Sequence, residues 1–165
     1  MRSTIIGKVW KFGDDINTDV IFPGKYTYTV NDPEEMAKHA MEDADPEFAN
    51  KVEKDDIIVA GKNFGCGSSR EQAAMCLKAA GIGAVIAKSF SRIYFRNAIN
   101  LGLPIITCPD LVNNVKQWGE LKVDFERSVI IHEDRKYPYT PLSEDVKEIL
   151  DAGGLIPYVR RQLGK

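Results

Sequence analysis

The sequence predicts an α/β fold with a parallel β-α-β-α-β core and an added β layer. Three observations carry this. Ile57-Ile58-Val59-Ala60, Ala84-Val85-Ile86-Ala87 and Leu103-Pro104-Ile105-Ile106-Thr107 are short continuous apolar runs, the pattern of strands buried on both faces. Helical patterns fill both intervals between them, and a strand–helix–strand order implies parallel pairing through right-handed crossovers. In the last third, Leu121-Lys122-Val123-Asp124-Phe125-Glu126 alternates apolar and polar residues, as a strand with one wet face does.

The chain begins with Thr4 to Phe12, rich in β-branched and aromatic residues and read as a strand, followed by a turn at Gly13-Asp14-Asp15. Val20-Ile21-Phe22 is a short apolar run stopped by Pro23-Gly24, and Tyr26 to Val30 is a polar, aromatic stretch with no helical period. Asp32 is a suitable N-cap with Pro33 at the first helical position. Glu53 to Asp56 reads as an acidic exposed turn. After the Ile57 strand comes a glycine-rich loop, Gly61 to Gly67, then a helix with Ala73, Cys76, Leu77 and Ala80 on one face, ended by Gly81 and Gly83. Ser89 to Ile99 reads as the second helix, stopped by Gly102. Ser128 to His132 reads as the antiparallel neighbour of the 121–126 strand. Ser143 caps a helix through Leu150 with Glu144 and Asp145 in its first turn, and a final helix runs from Leu155 to Leu163 after Gly153-Gly154.

Length and composition set bounds on function. The 165 residues suit one domain, residues 1–165, long enough to bury a core without staples. Hydrophobic residues make up 44% and charged residues 28%, which is globular composition. A net charge of −2 carries no nucleic-acid footprint. No apolar run spans a bilayer, and MRSTIIGKVWKF is too polar for a secretory signal. Three cysteines (Cys66, Cys76, Cys108) with no C-x-x-C pair and two separated histidines (His39, His132) argue against a disulfide framework, a zinc site or a cluster held by this chain alone. A reduced, cytoplasmic location follows.

The chemistry points to Gly61-Lys62-Asn63-Phe64-Gly65-Cys66-Gly67-Ser68-Ser69-Arg70-Glu71, which links a buried strand to a helix. A helix start offers unpaired N–H groups to an anion, and open α/β sheets bind ligands at the carboxyl ends of their strands. Ser68 and Ser69 add hydroxyls, and Arg70 adds a planar fork matched to a carboxylate. Ser68 to Glu71 is equally an S-x-x-E capping box, which by itself explains Ser68 and Glu71. The loop lacks the third glycine of G-x-G-x-x-G and is not a G-x-x-x-x-G-K-[ST] loop, so it suits a carboxylate and not a nucleotide.

Asn63 to Glu71, Ala87-Lys88-Ser89-Phe90, Arg96 to Pro104 and Asp15-Ile16-Asn17-Thr18-Asp19-Val20-Ile21 together resemble the swivelling domain of the aconitase/isopropylmalate isomerase family, over nearly the whole chain. The resemblance implies a swivelling β/β/α domain and a hydro-lyase small subunit that moves a hydroxyl between neighbouring carbons of a substituted malate. The nearest fit is an isopropylmalate-acting subunit of leucine biosynthesis, with dimethylmalate and homoaconitate enzymes as alternatives. It implies a heteromeric partner, a large subunit carrying a 4Fe-4S cluster, and no metal in this chain. By the motif, Ser68 is the base, Ser69, Arg70, Thr18 and Asp19 bind substrate, and Tyr26-Thr27-Tyr28-Thr29 form the specificity loop. That loop has no arginine from Asp14 to Asn50, which suits an alkyl substituent over an extra carboxylate. Gln72 stands where many relatives carry His. A reading in a different class is a stand-alone carboxylate-binding regulatory module.

Overall fold

The computed structural model describes residues 2–164. Its elements in order are β1 (Thr4–Lys11), α1 (Thr18–Ile21), a 3-10 turn at Gly24–Tyr26, α2 (Pro33–Lys38), α3 (Phe48–Lys51), β2 (Ile57–Ala60), α4 (Gln72–Ala79), β3 (Ala84–Ala87), α5 (Arg92–Asn100), β4 (Ile105–Thr107), α6 (Pro109–Asn114), β5 (Glu120–Asp124), β6 (Val129–His132), β7 (Arg135–Pro138), α7 (Glu144–Ala152) and α8 (Leu155–Gln162).

The strands form one seven-stranded sheet in the order β4-β3-β2-β1-β5-β6-β7. Strands β1 to β4 pair in parallel, with α4 crossing from β2 to β3 and α5 from β3 to β4. The β1–β5, β5–β6 and β6–β7 pairs are antiparallel. The two-residue alternation divides the core. Ile58, Ala60, Val85, Ala87 and Ile105 face the helices, packing with Ala73, Cys76 and Leu77 of α4 and Ala98 and Ile99 of α5. Ile57, Val59, Ala84, Ile86 and Ile106 share the opposite core with Leu121, Val123, Ile130 and Tyr137, so the antiparallel half curls over the face of the parallel half. This is the β/β/α layering, with β1 belonging to both halves.

The local signals place most elements. Asp32 accepts from the Glu34 N–H with Pro33 in the first turn of α2. Ser143 accepts from the Val146 N–H to open α7. Four readings change. Val20 and Ile21 belong to the one-turn helix α1, capped by Asn17, whose side chain accepts from Val20 N–H at 2.9 Å. The second crossover helix starts at Arg92, capped by Ser91, because Ser89 and Phe90 are held extended against Phe64. Asp56 is not an exposed turn residue; it is buried, accepting from Trp10 Nε1 and from the Glu53 N–H, both at 2.9 Å. Trp10 stacks edge-on between Phe48 and Trp118 at 4.8 and 4.6 Å. Finally, α6 and β7 are additional elements. The β6–β7 hairpin turns on Glu133 and Asp134, both with positive φ (49° and 65°), the backbone of a tight two-residue turn.

Candidate active site at the 61–72 loop

The loop between β2 and α4 is clamped on both sides. Gly65 N–H donates to Ile16 carbonyl (2.7 Å) and Thr18 N–H to Cys66 carbonyl (2.8 Å). On the other side Phe64 N–H donates to Ser89 carbonyl (3.0 Å), and Ser91 N–H donates to Phe64 carbonyl (2.9 Å). Gly65 has φ 81°, and a Cβ there would lie 2.2 Å from Cγ of the buried Tyr94 ring. The position therefore requires glycine for its backbone and for its space.

Past Gly67 the chain turns outward and presents Ser68 and Ser69 to solvent. The capping-box expectation is corrected here. Helix α4 opens at Gln72 with Glu71 as its N-cap, and no side chain caps it. Residues 68–71 are not helical, so Ser68 lies too far ahead of the first turn to serve as cap.

Arg70 is the hub. Its Nη2 donates to Asp19 Oδ1 at 2.5 Å and its Nη1 to Thr27 Oγ1 at 3.0 Å. Its buried Nε has no hydrogen-bond partner among the described residues. Gln72 Nε2 donates to the Thr27 carbonyl at 3.2 Å. Gly24 leaves room for the ion pair, since a Cβ there would meet Asp19 Oδ1 at 2.9 Å. The fold thus gathers Asp19, Thr27, Arg70 and Gln72, with Ser68 and Ser69 on the same loop. An open groove beside them is lined by Met36, Ser69, Arg70, Glu71, Gln72 and Met75.

The other expected residues lie apart from this hub. Thr18 is buried, with its hydroxyl unpartnered and close to Gly67, where a Cβ would sit 3.3 Å away. Tyr26 packs on His39, with ring centroids 3.9 Å apart, and Tyr28 is 92% exposed. Thr29 is exposed. The reach of Gln72 to the loop was legible only as its position directly after Ser-Ser-Arg-Glu. The roles of Asn17 and Gly24 had no local signal beyond small, turn-forming residue types.

This arrangement can hold a carboxylate against a planar cation while presenting two hydroxyls next to it. The thiols do not build a metal centre. Cys76 is buried in the α4 face, where burial pushes its thiol far above the ordinary range, and Cys108 is buried at the start of α6. Among the described residues no group of three or more His, Cys, Asp or Glu is placed to hold a metal ion. Likewise, no helix among them is long and apolar enough to cross a membrane.

The Aconitase C-terminal domain family matches residues 13–111, which include Ser68, Arg70, Asp19 and Thr27. The chain belongs to this family. As an aconitase C-terminal domain it has full-length relatives. The 3-isopropylmalate dehydratase small subunit 1 of Archaeoglobus fulgidus is 53% identical over 94% of this chain and 96% of its own length. The 3-isopropylmalate dehydratase small subunit of Heliobacterium modesticaldum is also 53% identical, covering 96% of each chain. The crystal structure of a 3-isopropylmalate dehydratase from Methanocaldococcus jannaschii superposes with a TM-score of 0.92 at 43% identity, over 97% of this chain and 95% of that one. An aconitase X from Thermococcus kodakaraensis, at 18% identity and a TM-score of 0.50, shares the fold over 73% of this chain and 83% of its own. The stretches 15–21, 63–71, 87–90 and 96–104 that carried the resemblance all fall inside the matched segment.

Proposed function

We propose that this chain is the small subunit of a 3-isopropylmalate dehydratase, a hydro-lyase that interconverts 2- and 3-isopropylmalate in leucine biosynthesis. The observation that carries the reading is the Arg70 hub, beside two serine hydroxyls, in a chain alike over more than nine-tenths of its length to subunits of that name. Residues 1–165 act as one swivel domain that closes over a separate large subunit in the cytoplasm. The family resemblance gives the 4Fe-4S cluster to that other chain, and the separation of the three free thiols here is compatible with it.

This chain's part is proton transfer and carboxylate binding. Ser68 Oγ, as alkoxide, takes the proton from the carbon next to a substrate carboxylate. The electron pair of that C–H bond forms the double bond as the hydroxyl leaves the neighbouring carbon. Re-addition in the opposite sense completes the isomerisation: the hydroxyl bonds to the carbon that lost the proton, and Ser68 returns its proton to the carbon that lost the hydroxyl. A serine alkoxide requires a dry, electropositive site, so closure against the large subunit is part of the chemistry. Arg70 and Ser69 take the carboxylate. Asp19 and Thr27 hold the Arg70 fork flat for it, and the substrate competes with Asp19 for Nη2. The uncharged 26–29 loop faces the alkyl substituent, since a carboxylate placed there would be left unpaired.

The test is reconstitution with large subunits and assay on isopropylmalate, dimethylmalate, homoaconitate and citraconate. Turnover only in the complex, fastest with isopropylmalate, is expected. A faster reaction with dimethylmalate or homoaconitate overturns the substrate. No turnover with any large subunit overturns the enzyme reading in favour of a carboxylate-binding module.

A further inference from the structure

We propose that Glu42 and His39 are positioning residues for substrate choice: they clamp Tyr26 and thereby fix the specificity loop against Arg70. The proposal rests on the dehydratase reading for its kinetic half and on geometry for the rest.

Two consecutive loop residues reach opposite anchors. Thr27 is held by the site, taking Arg70 Nη1 at its hydroxyl and Gln72 Nε2 at its carbonyl. Tyr26 is held from the other side. Its ring stacks on the His39 imidazole, with centroids 3.9 Å apart and planes 23° apart, and tilts against Phe22. Its hydroxyl donates to Glu42 Oε2 at 3.1 Å. His39 Nδ1 donates to Glu42 Oε1 at 3.0 Å, so one carboxylate ties the ring's hydroxyl to the ring's stacking partner. Lys25 adds its ammonium 3.9 Å from Glu42 and 5.2 Å from the Tyr26 ring centre. The His39 hydrogen bond, foremost, holds the Glu42 carboxyl below the usual range against its partial burial.

The anchor is itself rigid. Met41, between His39 and Glu42, is fully buried with φ 57°, and its N–H donates to the Ile21 carbonyl at 2.8 Å at the end of α1. At its far end the loop is held by Val30, packed against the helix-side core. Its own backbone bonds are those of a short turn, including Thr27 N–H to Gly24 carbonyl (3.1 Å) and Val30 N–H to Tyr26 carbonyl (3.0 Å), and its tip, Tyr28, stands in solvent. Loosening the clamp therefore moves the wall that meets the substituent while leaving Ser68 on its separately bridged loop.

The experiment pairs Glu42→Ala with the conservative Glu42→Gln and uses two readouts. Hydrogen exchange on the isolated chain is expected to speed up about fivefold or more at the Thr27 and Val30 amides in Glu42→Ala, the scale of one lost net hydrogen bond, with β2 and β3 unchanged and Glu42→Gln in between. In the reconstituted complex, the preference in kcat/KM for isopropylmalate over a methyl-substituted malate is expected to fall by a similar factor. That fall comes through KM, with kcat within about twofold. Unchanged exchange at Thr27 and Val30 overturns the clamp. Faster exchange with an unchanged preference overturns its role in substrate choice. A parent complex inactive on every alkylmalate brings down the dehydratase reading and the kinetic half with it, while the exchange result still decides the clamp.

Discussion

Replacing Gly65 by Ala tests how the fold presents the site. The residue has φ 81°, which costs a non-glycine residue roughly 1–2 kcal/mol. Its new Cβ would lie 2.2 and 2.4 Å from Tyr94 Cγ and Cβ. Tyr94 cannot swing aside, because its ring packs edge-on to Phe64 at 5.3 Å and its hydroxyl donates to the Ala73 carbonyl at 2.9 Å. Overpacking of this kind costs about 1–3 kcal/mol. Together these give about 2–5 kcal/mol, or roughly 4–20 °C in Tm for a chain of this size. The assay is thermal unfolding followed by circular dichroism, with Gly13→Ala, which meets nothing within 4 Å, as the control expected to stay near the parent. Reconstituted activity should fall along with stability, because Gly65 is bonded to Ile16 and accepts from Ser91 Oγ at 2.9 Å, contacts that hold the loop on which Ser68 sits. A Tm drop under about 2 °C would refute the argument that the Tyr94 contact and the positive φ both demand glycine.

Three other outcomes follow from the same geometry. Arg70→Lys loses the fork that reaches Asp19 and Thr27 together, and should raise KM about tenfold or more in steady-state assays. Tyr28→Arg should shift preference toward a substrate with an additional carboxylate, read as a ratio of kcat/KM values; Tyr28 makes the exposed tip of the loop, so stability should hold. Asp124 is held below the ordinary carboxylate range, chiefly by the Arg127 backbone N–H at 3.0 Å. Its stabilisation is therefore present above the unfolded-state pKa and lost as pH falls through the lower folded value. Urea unfolding should show Asp124→Asn less stable than the parent at neutral pH, with the gap closing below about pH 4.

The parallel half of the fold was legible because its signals are local. Ile57 to Ala60 and Ala84 to Ala87 are strands to the residue, and the Asp32 and Ser143 caps each act within a single turn. What was not legible depends on distant residues. Asp56 reads as exposed until Trp10 of β1 is laid beside it. The S-x-x-E pattern at Ser68 is a sound helix start that goes unused: residues 68–71 stay non-helical, Arg70 reaches across to Asp19 and Thr27, and α4 opens only at Gln72. Strand β7, Arg135-Lys136-Tyr137-Pro138, is too charged to look like a strand, and only pairing with β6 makes it one. At the site, Ser68 to Arg70 stood out as a run of chemical groups. The meeting of Arg70 with Asp19 and Thr27, across 51 and 43 residues, had no local signature, and the family resemblance was the only sequence signal linking them.

The most direct test of the account is Ser68→Ala in the reconstituted complex with 3-isopropylmalate. Ser68 is exposed and caps no helix, so the variant should fold with stability within about 0.5 kcal/mol of the parent. It should still bind substrate through Arg70 and lose turnover by at least about a hundredfold, the lower end of what a positioned base contributes. Near-parental turnover would contradict the assignment of Ser68 as the base on which the proposed chemistry depends.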